Sequence, residues 1–84
     1  MVISWNDRSW DEYVYWQERD RKALKKINKL LKAISRGERM GKAEILRHRG
    51  PGICSARIDD ANRLVYRVEG NELFVISCKG HYDE

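Results

Sequence analysis

The second half of the chain is divided into short extended stretches by connectors too short to hold a crossover, and this constrains the fold more than anything else in the sequence. Beyond Gly41, the stretches Glu44–His48, Ile53–Ile58, Arg63–Val68 and Leu73–Cys78 have the composition of strands. Between them lie Arg49-Gly50-Pro51-Gly52, Asp59-Asp60-Ala61-Asn62 and Glu69-Gly70-Asn71-Glu72, all rich in turn formers. Joining parallel strands takes a dozen or more residues, so neighbouring strands are expected to run antiparallel. In the third stretch Leu64, Tyr66 and Val68 share one face and Arg63, Val65 and Arg67 the other. One face meets helices; the other carries arginines, an arrangement that needs water or anions over it. The register of Arg57 stays open. If Asp59 to Asn62 is a four-residue loop, Ile58 lies opposite Arg63 and Arg57 points to the other face, whereas a five-residue connection or a bulge sets Arg57 beside Arg63.

The first half reads as a strand and two helices. Val2-Ile3-Ser4-Trp5 is a short apolar strand, after which Asn6, Asp7 and Ser9 offer capping groups. Ser9-Trp10-Asp11-Glu12 has capping-box spacing, so the first helix is expected to be capped at Ser9 and to turn Trp10, Tyr13 and Val14 inward. Tyr15 and Trp16 fall off that stripe, where packing is favoured over an interface role. The second helix is expected from an Asp20 N-cap to about Arg36, with Gly37 as its stop. Ala23, Leu24, Ile27, Leu30, Leu31 and Ile34 form its apolar side, and Arg21, Lys22, Lys25, Lys26, Lys29, Lys32 and Arg36 occupy much of the remainder. The fold class is therefore α+β: two N-terminal helices packed on an antiparallel sheet, in a single domain spanning residues 1–84.

Charge is distributed unevenly. The chain carries a net +4, but residues 17–39 alone hold nine basic and three acidic side chains, while residues 40–84 balance seven against seven. A concentrated basic helix points to an anionic partner, although lysine-rich solvated faces are ordinary. No apolar run approaches the roughly 18 residues of a membrane span, and the first ten residues lack the pattern of a signal peptide, so the cytoplasm is expected. Cys54 and Cys78 sit in no ligand spacing and read as reduced, structural thiols. No metal and no cofactor is expected.

Chemistry is concentrated in the net-neutral half. Cleaving RNA without a metal needs a base for the 2′-hydroxyl, cations for the phosphorane and an acid for the departing 5′-oxygen. Glu44 suits the base, Arg63 and Arg57 the cations, and His81 the acid, with Arg47 and Tyr82 nearby in sequence. A glutamate near His81 would keep it protonated; arginines would oppose this and hold Glu44 ionised.

Trp5, the run Ser9-Trp10-Asp11-Glu12-Tyr13 continuing to Tyr15-Trp16-Gln17, Lys25-Lys26-Ile27-Asn28-Lys29-Leu30, Gly41-Lys42, Arg63-Leu64-Val65-Tyr66 and the closing His81-Tyr82 together resemble the YoeB/Txe family of bacterial toxins, within the RelE superfamily. The resemblance covers nearly the whole chain. It implies a microbial-ribonuclease-like fold and an endoribonuclease that cuts mRNA in the ribosomal A site, leaving a 2′,3′-cyclic phosphate and a 5′-hydroxyl. The family's base falls on Glu44, its phosphate-binding arginine on Arg63, a second arginine on Arg57, and its acid histidine and tyrosine neighbour on His81 and Tyr82. Lys42 and Arg47 match positions that are commonly basic and approach RNA. Lys25, Lys26 and Lys29 are then expected to contact the ribosome.

The resemblance also implies a YefM/Axe-like antitoxin whose acidic carboxyl-terminal segment folds onto the toxin, autoregulation of the operon with DNA reached through that antitoxin, and a possible homodimer. The chain departs from the family pattern in several places. Cys54 replaces a usual tryptophan and Ala56 the first of two arginines; both prolines around Glu44 are missing, the Gly37 to Gly41 loop is shorter, and Asp83-Glu84 follow the His-Tyr pair. The Cys54 and Ala56 changes bear on substrate stacking or local packing more than on catalysis; the missing prolines and shorter loop imply a less rigidly held base, and Asp83-Glu84 add negative charge where RNA phosphate is expected to pass. Competing readings are a non-catalytic superfamily toxin that inhibits a protein such as gyrase, a weakened RNA-binding relative, and a basic helix that binds duplex nucleic acid. Retention of Glu44, His81 and Tyr82 argues against the first, and the lack of a helix-turn-helix spacing against the last.

Overall fold

The computed structural model describes residues 1–37, 44–45 and 50–80, with the backbone alone for Glu44. Its elements in chain order are β1 (Val2–Trp5), α1 (Asp7–Arg19), α2 (Arg21–Ser35), β2 (Glu44–Ile45), β3 (Ile53–Arg57), β4 (Arg63–Glu69) and β5 (Glu72–Ser77). The described strands form one sheet in the order β1-β5-β4-β3-β2. Strands β2 to β5 make the expected antiparallel meander. The amino-terminal β1 joins it in parallel beside β5, so the sheet is mixed, and the helices supply the crossover that this pairing requires.

Helix α2 forms as its pattern predicts. The Asp20 carboxylate accepts from the backbone N–H groups of Lys22 and Ala23, each at 3.1 Å. Gly37 closes the helix with φ +77, a conformation natural to glycine. Ala23, Ile27, Leu30, Leu31 and Ile34 pack with Trp16 against Ala56, Ile58, Leu64, Tyr66, Leu73, Val75 and Cys78 to form the core.

Helix α1 begins one turn earlier than its Ser9 box suggests. Asn6 is the N-cap: its Oδ1 accepts from Ser9 N at 2.7 Å, and Ser9 Oγ accepts from Asn6 N at 3.0 Å. Ser9 therefore occupies the N3 position of the box, where its hydroxyl does the reciprocal work usually done by a glutamate. The inner face also moves, to Ser9, Glu12, Tyr13 and Trp16, while Trp10 is 48% exposed and meets Trp5 edge-on at 5.7 Å. Long-range bonds among the described residues hold this face to the sheet, including a Cys78 Sγ contact to Ser9 O at 3.7 Å. Trp16 Nε1 donates to Cys78 O, and Cys78 N donates to Glu12 Oε1, both at 2.8 Å. Glu12 is thereby committed to the sheet rather than to the helix terminus.

A bulge in β5 brings Cys78 inward. Tyr66 pairs with Val75 but Val65 pairs with Ser77, leaving Ile76 as the extra residue. Strict alternation from Leu73 and Val75 would turn Cys78 away from the helices; the bulge instead places it in the core, fully buried.

Candidate functional site

The sheet face turned away from the helices is built in rows across the strands. Arg57 of β3 pairs with Arg63 of β4. In the next row Ser55 pairs with Val65, Val65 with Ser77, and Glu44 of β2 with Ser55. A third row is Ile53, Arg67, Phe74 and Ser4.

The open question of register resolves in favour of a longer connection. Ile58 lies outside β3, and its N–H and that of Asp59 both donate to Asn62 O, at 3.0 and 3.2 Å. Asp59 Oδ1 accepts from Ala61 N and Asn62 Nδ2, each at 2.9 Å, which tightens the turn. Five residues thus connect the strands, and Arg57 stands beside Arg63. Like charges directly opposite repel, so each guanidinium is held separately. Arg57 forms an ion pair with Asp60, and Arg63 Nε donates to the hydroxyl of the fully buried Ser55.

The last described residues are tied to the same point. Arg63 N donates to Gly80 O at 3.1 Å, and Gly80 N donates to Asn62 Oδ1 at 2.8 Å. Gly80 has φ +88, which suits a residue without Cβ. His81 and Tyr82 follow it directly in the chain but lie outside the described residues, as do Lys42 and Arg47. Of the expected site, Arg57 and Arg63 come together, and the backbone of Glu44 is one ladder partner from Ser55, which holds Arg63. Two adjacent guanidinium groups on a water-facing strand end suit a phosphate, whose oxygens accept forked donors.

Lys25 and Lys29 are exposed and Lys26 is half-buried on α2, in the helical layer behind the sheet. The basic helix and the arginine pair are separate features. Sequence reading missed Ser55 and Asn62, which position others. Ser55 did carry a signal, since a residue two before Arg57 on a strand shares its face.

The cysteines are free. Burial, with a lesser contribution from Glu12, pushes the Cys78 thiol up to about 12, so it is an inert part of the core. Cys54 is half-buried and pairs with Tyr66, whose phenol is pushed up chiefly by its own burial. Ala56 is buried opposite Leu64 on the helix-facing side, so its departure from the family pattern is one of core packing.

Comparisons with known proteins agree with this architecture. Residues 5–82 match the model of the YoeB-like toxin of bacterial type II toxin-antitoxin systems. The toxin YoeB of Escherichia coli is 44% identical over 84 residues, covering 98% of this chain and all of that protein. A YoeB/ParE toxin structure from Agrobacterium tumefaciens superposes with a TM-score of 0.90 at 40% identity, over 98% of this chain and 100% of the other. YoeB from Staphylococcus aureus, solved as a dimer, gives 0.89 at 41% identity over 98% of each chain; in a heterotetrameric YoeB-YefM complex it gives 0.87 with the same identity and coverage.

Proposed function

The chain belongs to the YoeB-like toxin family of bacterial type II toxin-antitoxin systems, and from that premise we propose that it is a ribosome-dependent mRNA endoribonuclease acting in the cytoplasm. Glu44 takes the 2′-hydroxyl proton, and the oxygen attacks the adjacent phosphorus. Arg63 and Arg57 neutralise the phosphorane, while His81 gives a proton to the leaving 5′-oxygen. The products are a 2′,3′-cyclic phosphate and a 5′-hydroxyl, and Tyr82 positions the base. Lys42 and Arg47 add RNA contacts, and Lys25, Lys26 and Lys29 bind the ribosome.

The observation that carries this reading is the pairing of Arg57 with Arg63 at the point where Gly80, next to His81 in the chain, bonds to Arg63. Control falls to a YefM-like antitoxin, a reading supported by the YoeB-YefM complex from Staphylococcus aureus, and the dimer from the same organism supports self-association. The test is cleavage of mRNA on programmed ribosomes. Glu44→Gln and His81→Ala should each reduce cutting to a small residue seen only at long incubation times, while folding and antitoxin binding persist. Full activity in both variants rules the assignment out.

A further inference from the structure

A groove lies on the same sheet face as Arg57 and Arg63, toward the other end of β4. It encloses about 310 Å³, and its lining includes Ser4, Asn6, Ile53, Arg67, Phe74 and Ile76. It follows the row Ile53, Arg67, Phe74 and Ser4 across four strands. We propose that this groove holds a nucleobase of the single-stranded RNA flanking the cleaved bond, with the Arg67 guanidinium on the Phe74 ring as its stacking platform.

The groove's chemistry suits such an occupant. The Arg67 guanidinium carbon sits 5.0 Å from the Phe74 ring centre, which presents a flat cation backed by an aromatic. A nucleobase stacks on that surface whatever its identity, and the attached phosphate complements the charge. The groove's other polar side chains are already committed. Ser4 Oγ donates to Glu72 Oε2 at 2.6 Å, and Asn6 Nδ2 donates to Ile76 O at 3.1 Å. Stacking and charge are therefore the terms on offer, rather than a hydrogen-bond code for one base.

The groove is also continuous with the proposed site. Arg63 and Arg67 are four residues apart on one strand face, roughly 13 Å by strand rise, within a few nucleotides of single-stranded RNA. Arg67 does pair with Glu69 at 3.3 Å, but both side chains are substantially exposed, at 42% and 68%. Solvent screens such a pair, leaving the cation open to an anionic chain.

This inference rests on the proposed function, and one experiment separates the two. Single-turnover cleavage is measured on ribosomes programmed with mRNA carrying one abasic nucleotide at each flanking position in turn. Wild type, Arg67→Ala and Phe74→Leu, which keeps an apolar side chain but removes the ring, are compared after melting curves establish that all three fold. With wild type, one abasic position should raise the toxin concentration for half-maximal rate roughly tenfold. In both variants intact mRNA should show a similar loss, and the abasic penalty at that position should disappear. If wild type cleaves but both variants retain its full abasic profile, or if Arg67→Ala weakens antitoxin binding and not cleavage, the groove assignment is overturned and the proposed function stands. If wild type does not cleave at all, both fall.

Discussion

Arg57 and Arg63 stand directly opposite one another across β3 and β4, and their guanidinium groups are drawn to different partners, Asp60 and Ser55. The Asp60 side chain is 95% exposed, whereas Ser55 is fully buried and therefore fixed in place. Arg63 is thus the more rigidly positioned of the two cations, in keeping with the role proposed for it at the phosphorane.

Ser55→Ala tests this positioning. Hydrogen bonds to charged groups contribute about 1.5–3 kcal/mol, so cleavage should fall roughly ten- to a hundredfold if the bond aims Arg63 at the transition state. The measurement is single-turnover cleavage on programmed ribosomes. An Arg63→Ala, Ser55→Ala double variant should be no slower than Arg63→Ala alone; additive losses would mean that Ser55 acts elsewhere.

Trp16 joins α1 to the sheet through its Nε1 bond to Cys78 O, in a side chain only 6% exposed. Trp16→Phe removes the donor and leaves a buried carbonyl without it, a loss of about 1–3 kcal/mol. Denaturant unfolding checks this, and an unchanged midpoint would show that the bond contributes nothing to stability.

These two contacts also mark where sequence reading reached its limit. Helix α2 was legible because its apolar stripe, Asp20 cap and Gly37 stop are all local signals. The meander was legible because connectors this short permit little else. By contrast, the inner face of α1 depends on Glu12 and Trp16 reaching Cys78, residues 66 and 62 positions away in sequence. Local periodicity therefore put Trp10 inside, where the fold leaves it exposed. The β5 bulge is hidden for a similar reason, since an inserted residue breaks alternation without leaving a turn signature. Within the candidate site, Arg57 and Arg63 were identifiable by type and motif. Their adjacency depends on the Asn62 carbonyl receiving two N–H groups, a geometry that several loop sequences share.

The buried thiol sets an alkaline limit. Burial raises Cys78 from 9 to about 12, so the unfolded chain ionises first and stability should fall as pH rises from 9 toward 12. The slope from one thiol is at most about 1.4 kcal/mol per pH unit. Tyr13 and Tyr66, both raised above 10 chiefly by burial, act in the same direction at higher pH. Cys78→Ala should flatten the unfolding midpoint between pH 9 and 10. In the native wild type, a thiol reagent at pH 8 should modify Cys54 and spare Cys78.

The lysines of α2 should act on ribosome binding alone. Reversing Lys25, Lys26 and Lys29 to glutamate leaves the sheet face untouched and turns like-charge pairs with the remaining cations, such as Lys22 with Lys26, into opposite-charge ones, so the melting temperature should hold or rise slightly. Ribosome affinity should drop, and its logarithm should depend less steeply on the logarithm of salt concentration. Unchanged affinity and slope would move the ribosome contact to another surface.

Asn62 bears on the proposed acid, His81. Its Oδ1 receives Gly80 N, while Gly80 O receives Arg63 N, so the Asn62 side chain and one backbone bond together fix the residue that precedes His81. Asn62→Ala should loosen that residue, leaving only its bond to Arg63 N, and lower cleavage about tenfold, the size of one lost hydrogen bond of this class. A purely structural role would lower the activity of any background by the same factor. A positioning role acts through the imidazole, so Asn62→Ala should add little to the loss already caused by His81→Ala. Measuring the residual cleavage of the single and double variants at long incubation times distinguishes these cases, and a full tenfold further loss in the His81→Ala background would disprove the positioning role.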